Sequence, residues 1–282
     1  MIELVCPACS QLGQLKYKSN IESSRITSDS FSSRKTPELM HGDLYLCNNC
    51  QTLFTARVES SWLLKAYSDA PLNATAESFA AAATYERLVK KELLSVPRTV
   101  LDIGCGDGAF LSRMVDAGTM IAHGVEPSRA ASEKSSDHRV KIQATTLSEL
   151  DGCQIYDAVC LFQTIEHVTE PRELIDLMIA RLSKSGSLFI VCHDRKSITN
   201  RLLGRRSPIF DIEHLQLFTQ RGLRHLLESR GLRIITMKRF VNHYPLNYAL
   251  RLLIPKANPP SWSARVNVRM PAGNLFVRAT HK

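Results

Sequence analysis

Residues 100–111 read VLDIGCGDGAFL, and this short stretch restricts the fold more than any other part of the chain. An apolar run ends at Asp102, glycines follow at positions 104, 106 and 108, and a second acid, Asp107, stands among them. A helical pattern resumes at once. Glycines in a bend between a strand and a helix let the backbone approach a ligand closely, and phosphate is the usual guest there. GCGDGA can be spelled as a loose G-x-G-x-x-A dinucleotide signature. The two carboxylates argue against that reading. A pyrophosphate beside Asp102 and Asp107 would be disfavoured by on the order of several kcal/mol. A ligand carrying positive charge and hydroxyl groups suits the bend better.

The pattern around this bend predicts an α/β fold. Strands are expected over residues 99–103, 121–126, 140–143, 158–162, 187–192, 233–238 and 274–279, with helices starting near Gly108, Ser128, Pro171 and Thr219. A helical period over residues 76–95 precedes them and stops at Pro97. Such alternation implies a Rossmann-like parallel sheet with helices on both faces, whose ligand sits beyond the carboxyl ends of the strands. Asp102, Glu126, Phe162 and Gln163 all fall at such ends. The length of 282 residues allows a large domain with an appendage, and 44% apolar residues are enough for a buried core. No run approaches the roughly 18 apolar residues of a membrane span. The start, MIELVCPACSQ, lacks the basic and apolar regions of a secretory signal, so a cytoplasmic protein is expected.

Two C-x2-C pairs, Cys6/Cys9 and Cys47/Cys50, are separated by 37 residues that include a Ser- and Thr-rich stretch, 19–37, expected to be a flexible loop. Four thiolates from two tight turns match the tetrahedral demand of structural zinc, and a cytoplasmic chain makes disulfides the poorer reading. Cys105, Cys153, Cys160 and Cys192 stand alone and read as small buried hydrophobes. The expected organisation is a zinc-binding module over 1–60, a helical linker over 61–97 and a larger domain over 98–282.

S-adenosylmethionine meets the demand of the acidic bend: it carries an ammonium and a sulfonium, with one carboxylate free to take backbone N–H groups. Glu126, in HGVEPS, lies 24 residues after Asp102, where an acid accepts both ribose hydroxyls. LDIGCGDGAFL, GVEPS, AVCLFQTIEHVTEP and LSKSGSLFIV, in that order, resemble a class I S-adenosylmethionine-dependent methyltransferase. The resemblance implies a seven-stranded sheet with an antiparallel last strand. It places Asp102, Gly104, Gly106, Asp107 and Gly108 at the methionine end, Glu126 on the ribose, and Ala144 and Thr145 beside the adenine. The family often has an acid near that last position, and this chain does not.

Methyl transfer to a hydroxyl needs an aligned nucleophile and a base for its proton, and histidine serves that role near neutral pH. His167 in QTIEHVTEP and His214 in FDIEHLQLF are the candidates, each preceded by a glutamate, Glu166 or Glu213, that could orient the ring or bind substrate. A capping role for His167, and a place for His214 at the start of an amphipathic helix, are the plainer readings. His193 and His225 read as structural. A cysteine-knuckle start joined to this fold resembles bacterial sugar methyltransferases of deoxysugar and surface-polysaccharide pathways. The Glu213–His214 pair is similar to their proton-abstraction motif, although Asp211 stands where they tend to carry tyrosine and the cysteine spacing differs. Oxygen and carbon methylation both stay open.

The net charge of +9 gathers in the C-terminal third, where residues 201–282 hold 15 bases and three acids. That excess suits an anionic acceptor, such as a nucleotide-linked or lipid-linked sugar, or a membrane surface. It would also suit ribosomal RNA, but no aromatic–basic interleaving is present, and LFQT occupies the fourth strand where enzymes acting on base amines carry N-P-P-Y. A non-catalytic cofactor-binding scaffold is the remaining alternative. The apolar, arginine-dotted stretch 240–262 reads either as a cover over the acceptor pocket or as a peripheral membrane contact.

Overall fold

The computed structural model describes residues 3–32, 38–56, 60–71, 76–133, 135, 137–143, 145–150, 152–247, 250 and 259–282. Its elements run in the order β1 (Glu3–Val5), β2 (Leu12–Tyr17), β3 (Leu44–Cys47), β4 (Leu53–Thr55), α1 (Ser60–Asp69) and α2 (Ala76–Leu93). There follow β5 (Thr99–Ile103), α3 (Ala109–Asp116), β6 (Ile121–Val125), α4 (Arg129–Glu133), β7 (Val140–Gln143) and β8 (Tyr156–Phe162). The chain ends with α5 (Pro171–Ala180), β9 (Leu182–His193), α6 (Ile198–Leu203), β10 (Gln216–Leu217), α7 (Gln220–Ser229), β11 (Leu232–Pro245) and β12 (Asn267–His281).

A seven-stranded sheet in the order β11-β12-β9-β8-β5-β6-β7 organises the larger part. Strands β5 to β9 pair in parallel, whereas β12 runs antiparallel to both β9 and β11, as the resemblance implied. Its central strands read as unbroken apolar runs because both faces are covered. On β8, Val159 and Leu161 enter the core with α5 and α7, while Ala158, Cys160 and Phe162 enter the one with α2 and α3. On β9, Leu188 and Ile190 divide from Phe189 and Val191 in the same way, as the two-residue period of a strand dictates. Helix α3 buries Phe110, Leu111 and Met114, and α7 buries Leu223, Leu226 and Leu227 behind a Thr219 cap that accepts from the Gly222 N–H at 3.0 Å.

Strands β5 and β7 lie where the sequence places them; β6 stops one residue short, at Val125, although the Glu126 N–H still donates to the Gln143 carbonyl of β7 at 3.0 Å. Strands β9, β11 and β12 are longer than expected. β11 and β12 stay paired from Leu232↔His281 to Pro245↔Asn267, with bulges near residues 235 and 241, and polar residues along this arm hide its strand period. Most of the stretch 248–258, which carries part of the cover-or-membrane expectation, lies outside the described residues.

A second sheet, β1-β2-β3-β4-β10, joins the cysteine-bearing segment to the insertion after β9. Gln216 and Leu217 pair with Phe54 and Leu53, and the Thr55 N–H donates to the Leu215 carbonyl at 2.9 Å. The Arg195 guanidinium donates to the Gln51 carbonyl, Thr219 Oγ1 donates to the Cys50 carbonyl at 2.7 Å, and Arg172 donates to the Pro7 and Ala8 carbonyls. Cys6, Cys47, Cys50 and Phe54 thus share a core with β8, β9 and α7. The Ser/Thr-rich stretch is more ordered than expected where described. It forms short 3-10 turns over Ser23–Arg25 and Ser28–Phe31, because Phe31 is buried edge-on against Trp62 and Tyr67 of α1. Among the described residues, no helix is long and apolar enough to cross a membrane.

Candidate functional site

A cavity of about 600 Å³ opens at the carboxyl ends of β5, β6 and β8, where the chain order reverses across the sheet. Its floor is the glycine bend. Gly104 sits at φ +72°, and a Cβ there would stand 2.4 Å from Thr164 Oγ1, so both the backbone conformation and the space demand glycine. Gly106, at φ +57°, points its N–H to Glu126 Oε2 at 2.9 Å. Gly108 caps α3, and Asp107 Oδ1 accepts from the Ala109 N–H at 3.2 Å, so Asp107 both starts the helix and lines the cavity.

Two further acids close this end. Glu126 Oε1 accepts from the Ser128 N–H at 2.9 Å, so each carboxylate oxygen takes one backbone donor and keeps lone-pair capacity for another. Asp102 is buried at the end of β5, and its Oδ1 meets no hydrogen-bond donor among the described residues. Burial pushes its carboxyl well above the ordinary carboxylate range, and the neighbouring Glu126 pushes it further; burial raises Glu126 as well. An orphaned buried carboxylate beside a second acid is the arrangement that a cation stabilises. Phe162 stacks on Tyr85 with centroids 4.5 Å apart. Gln163 holds a left-handed φ of +55° with Oε1 buried and without a donor, a strained polar group at the cavity wall. Thr145 also lines the cavity; Ala144 lies outside the described residues.

At the other end stand three imidazoles. The His167 and His214 rings are 4.9 Å apart, and those of His193 and His214 are 5.3 Å apart. His214 Nδ1 lies 2.9 Å from the Ile209 carbonyl, which can only accept; Nδ1 therefore carries the hydrogen, and Nε2 keeps the lone pair of the neutral ring. Glu213 approaches His167 Nδ1 at 3.6 Å through Oε2, so this acid faces a histidine distant from it in sequence. Tyr67, from α1, reaches the same nitrogen at 2.9 Å. Burial and the surrounding Glu213, Asp211, Glu126 and Glu166 push the Tyr67 phenol well above its usual range.

Several expectations are corrected here. Glu166 does not face the acceptor. It is fully buried, accepts the His193 N–H at 2.6 Å, and is pushed up to about 7 by burial. Its backbone carbonyl accepts from the Leu215 N–H at 2.8 Å, tying the loop after β8 to the segment of His214. His214 precedes a strand, β10, and not a helix, because its neighbours are recruited by β4. His193 joins the cavity wall instead of serving the core alone, since β9 runs on to its position. Cys153 is exposed because it lies in the loop before β8, unlike the buried Cys105, Cys160 and Cys192. Asp211 organises the turn: its carboxylate accepts from the Glu38 N–H at 3.0 Å and the Glu213 N–H at 3.4 Å. His225 lies on α7, outside the cavity wall. Tyr67 and His193 are site residues that the sequence does not disclose, since only tertiary packing brings them to His167.

Among the described residues, the bases of the C-terminal third do not reach the wall. Arg230 is paired with Asp176, Arg239 with Asp194 and Lys238 with Glu92. Among the described residues, the cavity is lined by acids at both ends and by no lysine or arginine, so its interior does not meet the expectation of cations for an anionic acceptor.

The four knuckle thiols converge. Cys6 and Cys50 Sγ are 3.6 Å apart, Cys9 and Cys47 Sγ 3.4 Å, and all four sulfurs lie within 4.8 Å of one another without a disulfide. Tetrahedral zinc with Zn–S of about 2.3 Å requires S···S separations of about 3.8 Å, so the cluster fits that ion.

Fold and site together define an α/β cradle for a cationic nucleoside, with a histidine-lined chamber next to it. Residues 75–237 match the family model described as "Methyltransferase domain". The chain belongs to the methyltransferase-domain family. It is 27% identical over 161 residues to the mitochondrial ubiquinone biosynthesis O-methyltransferase of Dictyostelium discoideum, covering 50% of this chain and 49% of that protein. It is likewise 27% identical over 171 residues to 2-ketoarginine methyltransferase of Streptomyces arginensis, covering 54% and 51%. The chain thus spans about half the length of these curated relatives. Among solved structures, the plantazolicin methyltransferase in complex with a monoazolic analogue and SAH shares the fold, with TM-score 0.52 and 20% identity over 73% of this chain and 84% of that one.

Gly104→Ala is expected to destabilise the fold by about 1–3 kcal/mol in urea denaturation. Adding Thr164→Ala should recover only part of the loss, because it removes the contact but leaves the left-handed backbone.

Proposed function

We propose that this protein is an S-adenosylmethionine-dependent methyltransferase acting on a small-molecule or glycan acceptor, a sugar methylated at oxygen or at an activated carbon. The observation that carries this reading is Asp102, whose buried Oδ1 meets no donor among the described residues and which lines the same cavity as Glu126 and His214. When bound, the cofactor supplies a methyl carbon already activated by a sulfonium.

The chain's residues divide the remaining work. Asp102 and Asp107 offer negative charge to the methionine end, and Gly104 and Gly106 give that end room. Glu126, fixed by the Gly106 and Ser128 N–H groups, accepts the ribose hydroxyls. Thr145 flanks the adenine, and Phe162 and Gln163 border the methyl-donor side. His214, with Nδ1 tied to Ile209, presents Nε2 as the proton acceptor for the acceptor group. His167, held between Tyr67 and Glu213, orders the acceptor chamber. The relatives support small acceptors: one is by name an O-methyltransferase of ubiquinone biosynthesis, the other a 2-ketoarginine methyltransferase. Among the described residues no lysine or arginine lines the wall, which supports an acceptor whose reacting end is uncharged. The sugar reading rests on the resemblance of the Glu213–His214 pair. Cys6, Cys9, Cys47 and Cys50 hold a structural zinc ion, closed to substrate by four thiolates.

The reading is tested by incubating the protein with methyl-labelled cofactor and a panel of nucleotide-linked sugars, lipid-linked glycans and RNA, followed by mass analysis. Label in a sugar supports it, and label only in RNA overturns it. Glu126→Ala should weaken cofactor binding at least tenfold, about 1.4 kcal/mol, in calorimetry. Because Asp102 and Glu126 have raised carboxyl groups and bind the cation only when ionised, affinity should fall as pH drops from neutral toward the carboxylate range. Binding should also release protons to the buffer; a pH-independent affinity contradicts the assignment. His214→Ala should lower turnover by about 100- to 10,000-fold while leaving cofactor affinity intact. Unchanged turnover would remove the base from that position. Cys47→Ser should abolish zinc retention and lower the unfolding midpoint, and a zinc-free wild type of equal stability would refute the metal site.

A further inference from the structure

Helix α6 has its polarity reversed. It turns Asn200 inward, where the side-chain amide donates to the Asp194 carbonyl at 2.8 Å and accepts from Ser207 Oγ at 2.8 Å. Ser197 caps the helix, and Gly273 of β12 packs so closely that a Cβ there would stand 2.4 Å from Ser197 Oγ. The outward face carries Ile198 and Leu202, one turn apart and 74% and 83% exposed, with Leu203 beside them. A helix solvated by water selects the opposite arrangement. Bases surround this apolar ridge: Lys196, Arg201, Arg205 and Arg206 are exposed, and residues 195–210 contain no acid. Arg205 also lies over the Tyr17 ring, whereas Arg201 and Arg206 form no ion pair with a described residue.

We propose that α6 and its arginines dock on the surface of an anionic lipid bilayer. Leucine and isoleucine side chains on a short, rigid foot enter the headgroup boundary, and the surrounding guanidinium groups meet lipid phosphates. A protein partner is the poorer occupant. Six residues fall far short of the about 800 Å² per side that a stable protein interface buries, whereas a bilayer needs only a few apolar side chains and bases. The ridge leads through the Gly204–Arg206 turn to Pro208 and Asp211, which line the cavity. Resting on the reading of that cavity as the acceptor chamber, docking selects a membrane-borne acceptor whose polar head enters from the lipid surface. The basic charge then serves the headgroups outside the cavity, in keeping with a wall that holds no described cation.

The experiment is co-sedimentation of the full chain with phosphatidylcholine vesicles and with vesicles that also contain phosphatidylglycerol. The wild type should sediment with the anionic vesicles, less so as salt is added, and not with the neutral ones. Two double variants, Ile198→Ser with Leu202→Ser and Arg201→Gln with Arg206→Gln, should each lower partitioning by about tenfold or more. All four side chains lie outside the cradle, so unfolding midpoint and cofactor affinity should stay at wild-type values. The proposal fails if the wild type stays in the supernatant at low salt or if both variants sediment like it. It also fails if gel filtration shows a dimer that the same substitutions dissolve, which would assign the ridge to a second copy. Cofactor titration of the same proteins separates the two readings. Cofactor binding without vesicle binding removes the docking surface alone, and vesicle binding without cofactor binding removes the methyltransferase reading alone.

Discussion

A buried carboxylate whose Oδ1 meets no donor among the described residues, set at the cavity end of the central strand, is the constraint around which this molecule is arranged. Asp102 lies where β5 gives way to the glycine bend, with Glu126 next to it at the end of β6. Left alone, the pair is destabilising, since burial and mutual repulsion both push the carboxyl groups toward neutrality. The sheet nevertheless holds it in place, because β5 and β8 are packed on both faces by aliphatic side chains that fill two separate cores. Stability supplied by the sheet thus sustains an unsatisfied site. Dinucleotide-binding folds place a phosphate over a similar bend; here the charge of the wall reverses the sign of the ligand.

The second organising feature is the junction between the cysteine segment and the catalytic sheet. Strand β4 follows Cys50 directly and pairs with β10, which follows His214 almost directly. Arg172, just beyond the turn of His167, grips the first knuckle, and Thr219 and Arg195 grip the second. A metal joining the knuckles would close a mechanical loop around both histidines. The N-terminal segment is in that sense part of the cavity wall, to which it brings Phe31 and α1 adds Tyr67.

Charge is distributed to match these two features. Acids line the interior, whereas Arg230 and Arg239 are paired across the surface and Arg201, Arg205 and Arg206 gather around α6. A buried acid with an unpaired oxygen and an exposed leucine ridge are each unfavourable in isolation. Both become favourable once a cation fills the cradle and a lipid surface covers the foot.

The sequence by itself determined the cradle, because its parts are local. Strand, bend and helix follow one another within residues 99–116, and the glycines, Asp102 and Asp107 declare their backbone and charge requirements without distant partners. Glu126 was legible for the same reason, as the next strand must end beside the first. The knuckle pairs were legible because thiol spacing in a tight turn is a local property, and their convergence is a tertiary fact that agrees with it. Tertiary structure alone decided the chamber. Nothing near Tyr67 or His193 announces a site, and the partner of Glu213 proved to be His167, 46 positions earlier in sequence and 3.6 Å away in space. It also turned HLQLF into a strand, since a two-residue pairing with β4 outweighed a helical period, and it turned α6 inside out by burying Asn200 against Ser207. Periodicity records which residues tend to share a face; which neighbour covers that face is set by long-range packing that no local pattern encodes.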